Sequence, residues 1–253
     1  MLKNTFCHIK TITPQKEQEF WSLGISSWDD FFERKNDLLL SNLSSQKKEL
    51  ISSSLLKSIK SIEDGDYSTF FDLPKNQHWR LYDVMRNKTC FLDIETTGLS
   101  KDFHDITLIG IHGAEGTKIF MRGKNLDDFV DELKKYNMII TFNGCCFDLP
   151  FLKRKYPELQ LNQFHVDLRF ALAKLGFRGG LKKIEVDFNI SRPDDVEGVD
   201  GYEAVRLWYK YKKGDLSALA RLEKYLISDV ENLKILMDLT YDLLQKNTLK
   251  IKN

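Results

Sequence analysis

Residues 90 to 99 read Cys-Phe-Leu-Asp-Ile-Glu-Thr-Thr-Gly-Leu, and no other run constrains the chain as much. Cys90, Phe91, Leu92 and Ile94 form an apolar stretch suited to a buried strand. Side chains at i and i+2 of a strand share a face. Asp93 and Glu95 therefore stand side by side near the end of a strand that otherwise reads as core. Adjacent carboxylates repel one another and are costly to desolvate. Two readings fit: acids at a strand end that reach water, or a pair made tolerable by a divalent cation. Thr96-Thr97-Gly98 reads as a turn that brings backbone N–H groups close to whatever the carboxylates hold.

The remaining sequence sets the frame for that run. The 253 residues, 42% hydrophobic and 30% charged, suit an ordinary soluble protein of one large domain or a domain with an extension. A balance of 38 basic against 37 acidic residues excludes a strongly basic binding protein but leaves room for a local nucleic-acid groove. Cys7, Cys90, Cys145 and Cys146 include no Cys-x-x-Cys pair, so reduced thiols are expected and zinc is not. Neither a signal core nor a run approaching the ~20 apolar residues of a membrane span is present, so a cytoplasmic protein without a membrane partner is expected.

Residues 1–85 read as a helical N-terminal region. Thr13-Pro14 predicts an N-cap and first helical position, with a helix over Gln15 to Leu23 and Gly24 at its end. Ser26-Ser27 opens a second helix that places Trp28, Phe31 and Phe32 on one side. This hairpin fits either contact with nucleic-acid backbone or a small extension packing its aromatics. Residues 36 to 62 carry helical spacing.

Residues 86–253 read as a second, α/β domain. Strands are predicted over Thr89 to Glu95, Ile106 to His112 and Thr117 to Met121, the last two joined by a tight turn and hence antiparallel. An amphipathic helix follows over Leu126 to Tyr136, then a strand from Met138 to Phe142, a helix from about Phe147 to Tyr156, and a strand from Phe164 to Asp167 leading into a helix that ends near Gly176. Helices over Leu181 to Asp187, Tyr202 to Lys212 and about Leu216 to Lys246 complete the chain. This is the ribonuclease H-like order: a mixed five-stranded sheet with helices on both faces.

Two more acids stand out. Asp148 follows a buried strand and the Asn143-Gly144 loop, at the C-terminal end of a strand where sites in α/β sheets collect. Alone it also fits an acid stabilised by a helix N-terminus. Tyr225 and Asp229 lie four apart on one face of the last helix, among Leu222, Leu226, Leu233 and Leu236. Alone they also fit a paired polar patch.

Together, Asp-x-Glu on the first strand, an acid after Asn-Gly, and Tyr-x-x-x-Asp in the final helix resemble the DEDD, or DnaQ-like, superfamily of 3′–5′ exonucleases. The resemblance covers residues 89 to about 236, and its most specific motif is Phe-Leu-Asp-Ile-Glu-Thr-Thr-Gly-Leu. His165-Val-Asp167, the run from Gly179 to Glu185, Asp200-Gly201-Tyr202 and the run from Gly24 to Asp30 are similar to the YprB-like branch. Lys224 stands where one branch of the superfamily has histidine, and Tyr225 fits the tyrosine branch.

The resemblance implies two divalent cations, Mg²⁺ or Mn²⁺, bound by Asp93, Glu95, Asp148 and Asp229, and an attacking water oriented by Tyr225. Hard oxygen ligands suit those ions in any case. It also implies a single-stranded or 3′-ended DNA or RNA substrate, held near Thr96, Gly98, Leu99, Asn143 and Phe147. Lys182 and Lys183 after a Gly-Gly turn fit either phosphate contacts or a solvated helix face. The run Trp208 to Lys213 fits either stacking on a single strand or packing between helices. Asp167 is expected to support structure near the site. The rival functions are a structure-selective endonuclease of the same fold and a non-catalytic nucleic-acid-binding module.

Overall fold

A computed structural model describes residues 1–249. Residues 250–253, part of the expected second domain, lie outside the described residues. The chain divides into two compact units, residues 1–84 with 245–249, and Met85–Leu244.

The first unit carries α1 (Pro14–Ser22), α2 (Trp28–Arg34) and α3 (Ser45–Glu63). Thr13 caps α1 by accepting from the Lys16 N–H, and Ser27 and Asp30 form a reciprocal capping box on α2. The helical stretch expected from residue 36 is delayed: a short 3-10 turn covers Leu38–Leu40, and the cap on α3 is Ser44. The aromatics of the N-terminal hairpin are used for packing. Trp28 and Phe31 are fully buried, Trp28 stacks on Phe70, and its indole N–H donates to the Thr5 carbonyl at 2.7 Å. Beneath them Arg80 and Glu17 form a buried ion pair of 2.7 Å, and Glu17 also accepts from the backbone N–H groups of Phe6 and Cys7. The short helix α4 (Tyr82–Met85) follows.

The second unit is built on one five-stranded sheet of β1 (Thr89–Thr96), β2 (Ile106–Gly113), β3 (Gly116–Met121), β4 (Met138–Thr141) and β5 (Phe164–Asp167). Their spatial order is β3-β2-β1-β4-β5. The first three strands are antiparallel neighbours, while β4 and β5 join in parallel. Short turns permit the antiparallel links, and the parallel ones need crossovers, which helices supply. These crossover helices are α5 (Phe129–Leu133), between β3 and β4, and α6 (Asp148–Lys155), between β4 and β5. Beyond the sheet run α7 (Leu168–Lys174), α8 (Leu181–Asp187), α9 (Gly201–Lys212) and α10 (Leu216–Leu249). The expected ribonuclease H-like α/β class, with helices at the N-terminus, is what the chain forms.

The helix expected over Leu126 to Tyr136 is shorter. It starts as a 3-10 turn at Leu126–Asp128 and ends at Leu133, because the Asn137 N–H must reach the Lys88 carbonyl at 2.7 Å to lead β4 alongside β1.

β1 sits in the middle of the sheet and sorts its side chains by parity. Cys90, Leu92 and Ile94 join a buried cluster with Ile109, Ile111, Phe129, Leu133, Phe151 and Leu152, on the face that α5 and α6 cover. Phe91, Asp93 and Glu95 point to the other face. Gly110 lies directly across from Asp93 on β2 and shares that face. A Cβ at Gly110 would fall 2.9 Å from Leu226 Cγ and 3.1 Å from Val230 Cγ1. The missing side chain lets α10 close on the sheet at the height of Asp93, and Asp229 lies between the two helix residues that make the contact. Among the described residues, no helix is long and apolar enough to cross a membrane.

Candidate functional site

The strand, the helix start and the last helix each deliver acids to one place. The pairing of β1 with β2 shifts register between Glu95 and Thr96. Such an irregularity bends the strand and re-aims its side chains, here just where the acids stand. One carboxylate oxygen each from Asp93, Glu95 and Asp229 lies within 4.8 Å of the others.

Asp148 adjoins this trio from a different direction. Parallel pairing between β1 and β4 ends at Phe91 with Ile140. Further along β1, the Ile94 N–H is taken by Asp148 Oδ1 at 3.1 Å. One oxygen of Asp148 is thus spent on strand backbone, which fixes the carboxylate at the start of α6. The loop before it is held from β5. Asp167 accepts from the backbone N–H of Asn143 at 2.8 Å and of Cys145 at 3.1 Å. Asn143 adopts the left-handed conformation, φ 66°, and its side-chain oxygen accepts from Arg169 at 2.6 Å. Asp167 therefore clamps the loop that presents Asp148.

The electrostatics follow from depth. Glu95, Asp148 and Asp229 are buried and Asp93 is half-buried. Burial, then the charges of Asp148, Asp229 and Glu95, raises the Asp93 carboxyl well above its ordinary range. Glu95 moves the same way through burial and the charges of Asp229 and Asp148, partly opposed by Lys182. Burial lifts Asp148 to about 7 against the hydrogen bond from Ile94, and lifts Asp229 to about 6 against the charge and hydrogen bond of Arg192. All four shifts have one sign: the protein alone disfavours four charged carboxylates here. A donor set made only of carboxylate oxygens, and destabilised while uncompensated, fits hard divalent cations such as Mg²⁺ or Mn²⁺.

Tyr225 stands one turn before Asp229, buried, with its phenol pushed up by burial and by Asp229, Glu95 and Asp93. Lys182 Nζ and Arg192 Cζ each lie 5.4 Å from the centroid of its ring. The two lysines after the Gly-Gly turn part company. Lys182 faces Tyr225, whereas Lys183 is exposed and paired with Asp187 at 2.6 Å. Thr96 is buried, and its hydroxyl donates to the Gly98 carbonyl at 2.7 Å. A Cβ at Gly98 would fall 2.4 Å from the His104 ring, so a side chain there requires that ring to move. Leu99 and Phe103 in the same loop are 66% and 86% exposed. Phe147 packs on Phe151 with ring centroids 4.8 Å apart. In α9, Trp208 is buried with Tyr211 at 5.4 Å, which is the packing reading of that run, while Tyr209 is exposed. A cleft of about 270 Å³ in the N-terminal unit, lined in part by His8, Lys10, Lys57 and Asp72, holds none of these residues.

Three groups behind the site have no signature in the sequence. Arg192 bonds Asp229, Glu185 bonds Arg192, and Asn232 bonds Glu185. Glu185 stood in the run read for its lysines, but a lone Glu in a short helix does not announce its burial. Gly110 reads as an ordinary glycine within a strand.

This fold and this site define an α/β domain of ribonuclease H-like topology whose central strand and last helix bring acids together. The chain belongs to the RNase_H superfamily, whose profile matches residues 90–241. It is 33% identical over 168 residues to an uncharacterised protein of Methanocaldococcus jannaschii, an alignment spanning 58% of this chain and 94% of that one. Among solved structures it is similar to the family B DNA polymerase of Pyrobaculum calidifontis, with a TM-score of 0.47, 16% identity and 62% of this chain covered; the match spans only 24% of the polymerase. It is also similar to Brucella melitensis NrnC, with a TM-score of 0.46, 20% identity, and 66% and 78% of the two chains covered.

Proposed function

We propose that the chain is a metal-dependent 3′–5′ exonuclease of the tyrosine branch of the DEDD superfamily, YprB-like, that hydrolyses phosphodiester bonds of single-stranded or 3′-ended DNA or RNA. In this reading residues 86–253 form the domain that carries the chemistry and residues 1–85 form a separate helical region. Membership of a nuclease superfamily supports hydrolysis of nucleic acid. The observation that carries the rest is the convergence of Asp93, Glu95 and Asp229 within 4.8 Å, with Asp148 held beside them.

Two divalent cations, Mg²⁺ or Mn²⁺, held by Asp93, Glu95, Asp148 and Asp229 would supply a water of lowered pKa and charge for the leaving oxygen. In the metal-free site the environment pushes the Tyr225 phenol up rather than down, and an ordinary tyrosine pKa of about 10 already keeps it protonated at neutral pH. It serves as a donor that orients the attacking water, not as the base. Lys182 beside it offers fixed positive charge to a substrate phosphate. Thr96, Gly98 and Leu99 form the seat for the terminal nucleotide, and the exposed Leu99 and Phe103 side chains give its base an apolar surface to stack on. Asn143 and Phe147, on the loop that presents Asp148, shape that side of the seat, and Lys183 would reach a phosphate only by releasing Asp187.

The test is a time course with Mg²⁺ or Mn²⁺ on 3′-labelled and 5′-labelled DNA and RNA oligomers and on a circular single strand, with Asp93→Ala as control. Stepwise shortening from the 3′ end, with the circle intact, is the expected result. Cleavage of the circle rejects the exonuclease reading, and activity surviving in the Asp93 variant rejects the metal assignment.

A further inference from the structure

Arg192 lies in the loop between α8 and α9, with a side chain only 10% exposed. Its Nε and Nη2 donate to the two carboxylate oxygens of Glu185, both at 2.7 Å. This two-pronged contact fixes the plane of the guanidinium. Glu185 is held in turn by Asn232, whose side-chain N–H donates to Oε1 at 2.9 Å. So anchored, Nη2 also donates to Asp229 Oδ1. Nη1 is buried with no nitrogen or oxygen acceptor, and the guanidinium carbon stands 5.4 Å from the centre of the Tyr225 ring. Arg192 therefore touches both functional candidates of α10, one turn apart, from a rigid mount.

A buried Glu–Arg pair of purely structural purpose needs no third bond. Here the third bond ends on a carboxylate that also belongs to the acidic trio. The contact has two consequences. It commits one oxygen of Asp229 and so fixes the direction of the other. It also sets a permanent positive charge against a group that would hold a dication.

We propose that Arg192 is a positioning residue for this site: it fixes Asp229 and the Tyr225 ring, and its charge holds down the affinity of the acidic cluster for divalent cations. The proposal rests on the metal-dependent reading above and adds a residue and a sign to it. A unit charge a few ångströms from a dication changes its affinity by about tenfold even under near-aqueous screening, and by more in a buried site. Removing Arg192 should thus tighten cation binding while impairing catalysis, whereas loss of a merely structural pair loosens both.

The experiment is calorimetric titration of Mn²⁺ into the full chain, for wild type, R192Q, R192K and E185Q/R192Q, with kcat and KM measured on a 5′-labelled single-stranded DNA oligomer. For R192Q we expect Mn²⁺ binding about tenfold tighter and kcat at least about tenfold lower, with KM changed less than about twofold. E185Q/R192Q removes one positive and one negative charge. Its Mn²⁺ affinity should return to within about threefold of wild type while kcat stays low. R192K keeps the charge and loses the planar fork, so it should bind Mn²⁺ as wild type does and still lose kcat. Unchanged or weaker Mn²⁺ binding in R192Q, or full kcat in R192K, overturns the proposal. Circular dichroism checks folding; should R192Q be unfolded, R192M, which also removes the charge, is titrated in its place by the same criteria. A wild-type titration without Mn²⁺ binding overturns the metal reading and this proposal together. Normal wild-type binding with an unaltered R192Q overturns the role of Arg192 alone.

Discussion

Asn at position 148 should stabilise the metal-free protein while destroying its activity. Asp148 is 2% exposed, and its carboxyl rises from 3.8 to about 7, chiefly through burial. A folded-state pKa above the unfolded value means that the folded protein binds the proton more tightly. The resulting stability is fully present below about pH 4 and is lost as pH rises through about 7. Each pKa unit is worth about 1.4 kcal/mol, so at pH 8 the charged Asp148 costs of order 4 kcal/mol relative to an uncharged group. An amide oxygen can still accept from the Ile94 N–H, but the new NH₂ group costs about 1–2 kcal/mol wherever it lacks a partner. The net gain is about 2–3 kcal/mol, or roughly 5–10 °C in Tm for a domain of this size. Thermal melts of wild type and Asp148→Asn in EDTA, at pH 5 and pH 8, measure it. The gain should be largest at pH 8 and shrink by more than about half at pH 5, where wild-type Asp148 is protonated. Added Mn²⁺ should raise the wild-type Tm more than that of the variant, which keeps only three of the four acids. An Asp148→Asn protein that melts at or below wild type in EDTA at pH 8 refutes the claim that uncompensated charge strains this site.

Asp93→Ala should lower hydrolysis by roughly 10³-fold with an unchanged circular dichroism spectrum, read from gel-resolved degradation of a labelled oligomer. Tyr225→Phe retains the ring between Lys182 and Arg192 and removes only the donor; kcat should fall by about 10- to 100-fold at constant KM. Gly110→Ala places a methyl group against Leu226 and Val230; a stability loss of about 1–3 kcal/mol by denaturant titration, with weakened Mn²⁺ binding, is expected. In the N-terminal unit, Glu17→Ala strands the buried Arg80 and should cost about 3–5 kcal/mol.

The fold was legible because it depends on local signals. Alternating apolar and β-branched residues mark the strands, the tight turn at residues 113–116 makes β2 and β3 antiparallel, and helical spacing marks the crossovers. Thr13 and Ser27 announce their helices through side-chain caps that act over three residues. Where a boundary answers to a distant partner, local signals fall short. The helix after β3 stops at Leu133 because Asn137 must bond Lys88 across the sheet.

The candidate site divides along the same line. The side-by-side placement of Asp93 and Glu95 follows from strand periodicity, and that of Tyr225 and Asp229 from helix periodicity; the sequence by itself determines both pairs. Bringing Asp229 within 4.8 Å of Asp93 and Glu95 was decided by packing: the register that sets Gly110 across from Asp93, and the absent side chain that lets α10 approach there. The contacts of Arg192 with Glu185 and Asp229, and of Asn232 with Glu185, belong wholly to the tertiary structure. They join residues 7, 37 and 47 positions apart. Arg192 lies in a loop, so no helix or strand periodicity links it to its partners; a buried charge is matched by whatever group the folded chain brings within hydrogen-bond reach.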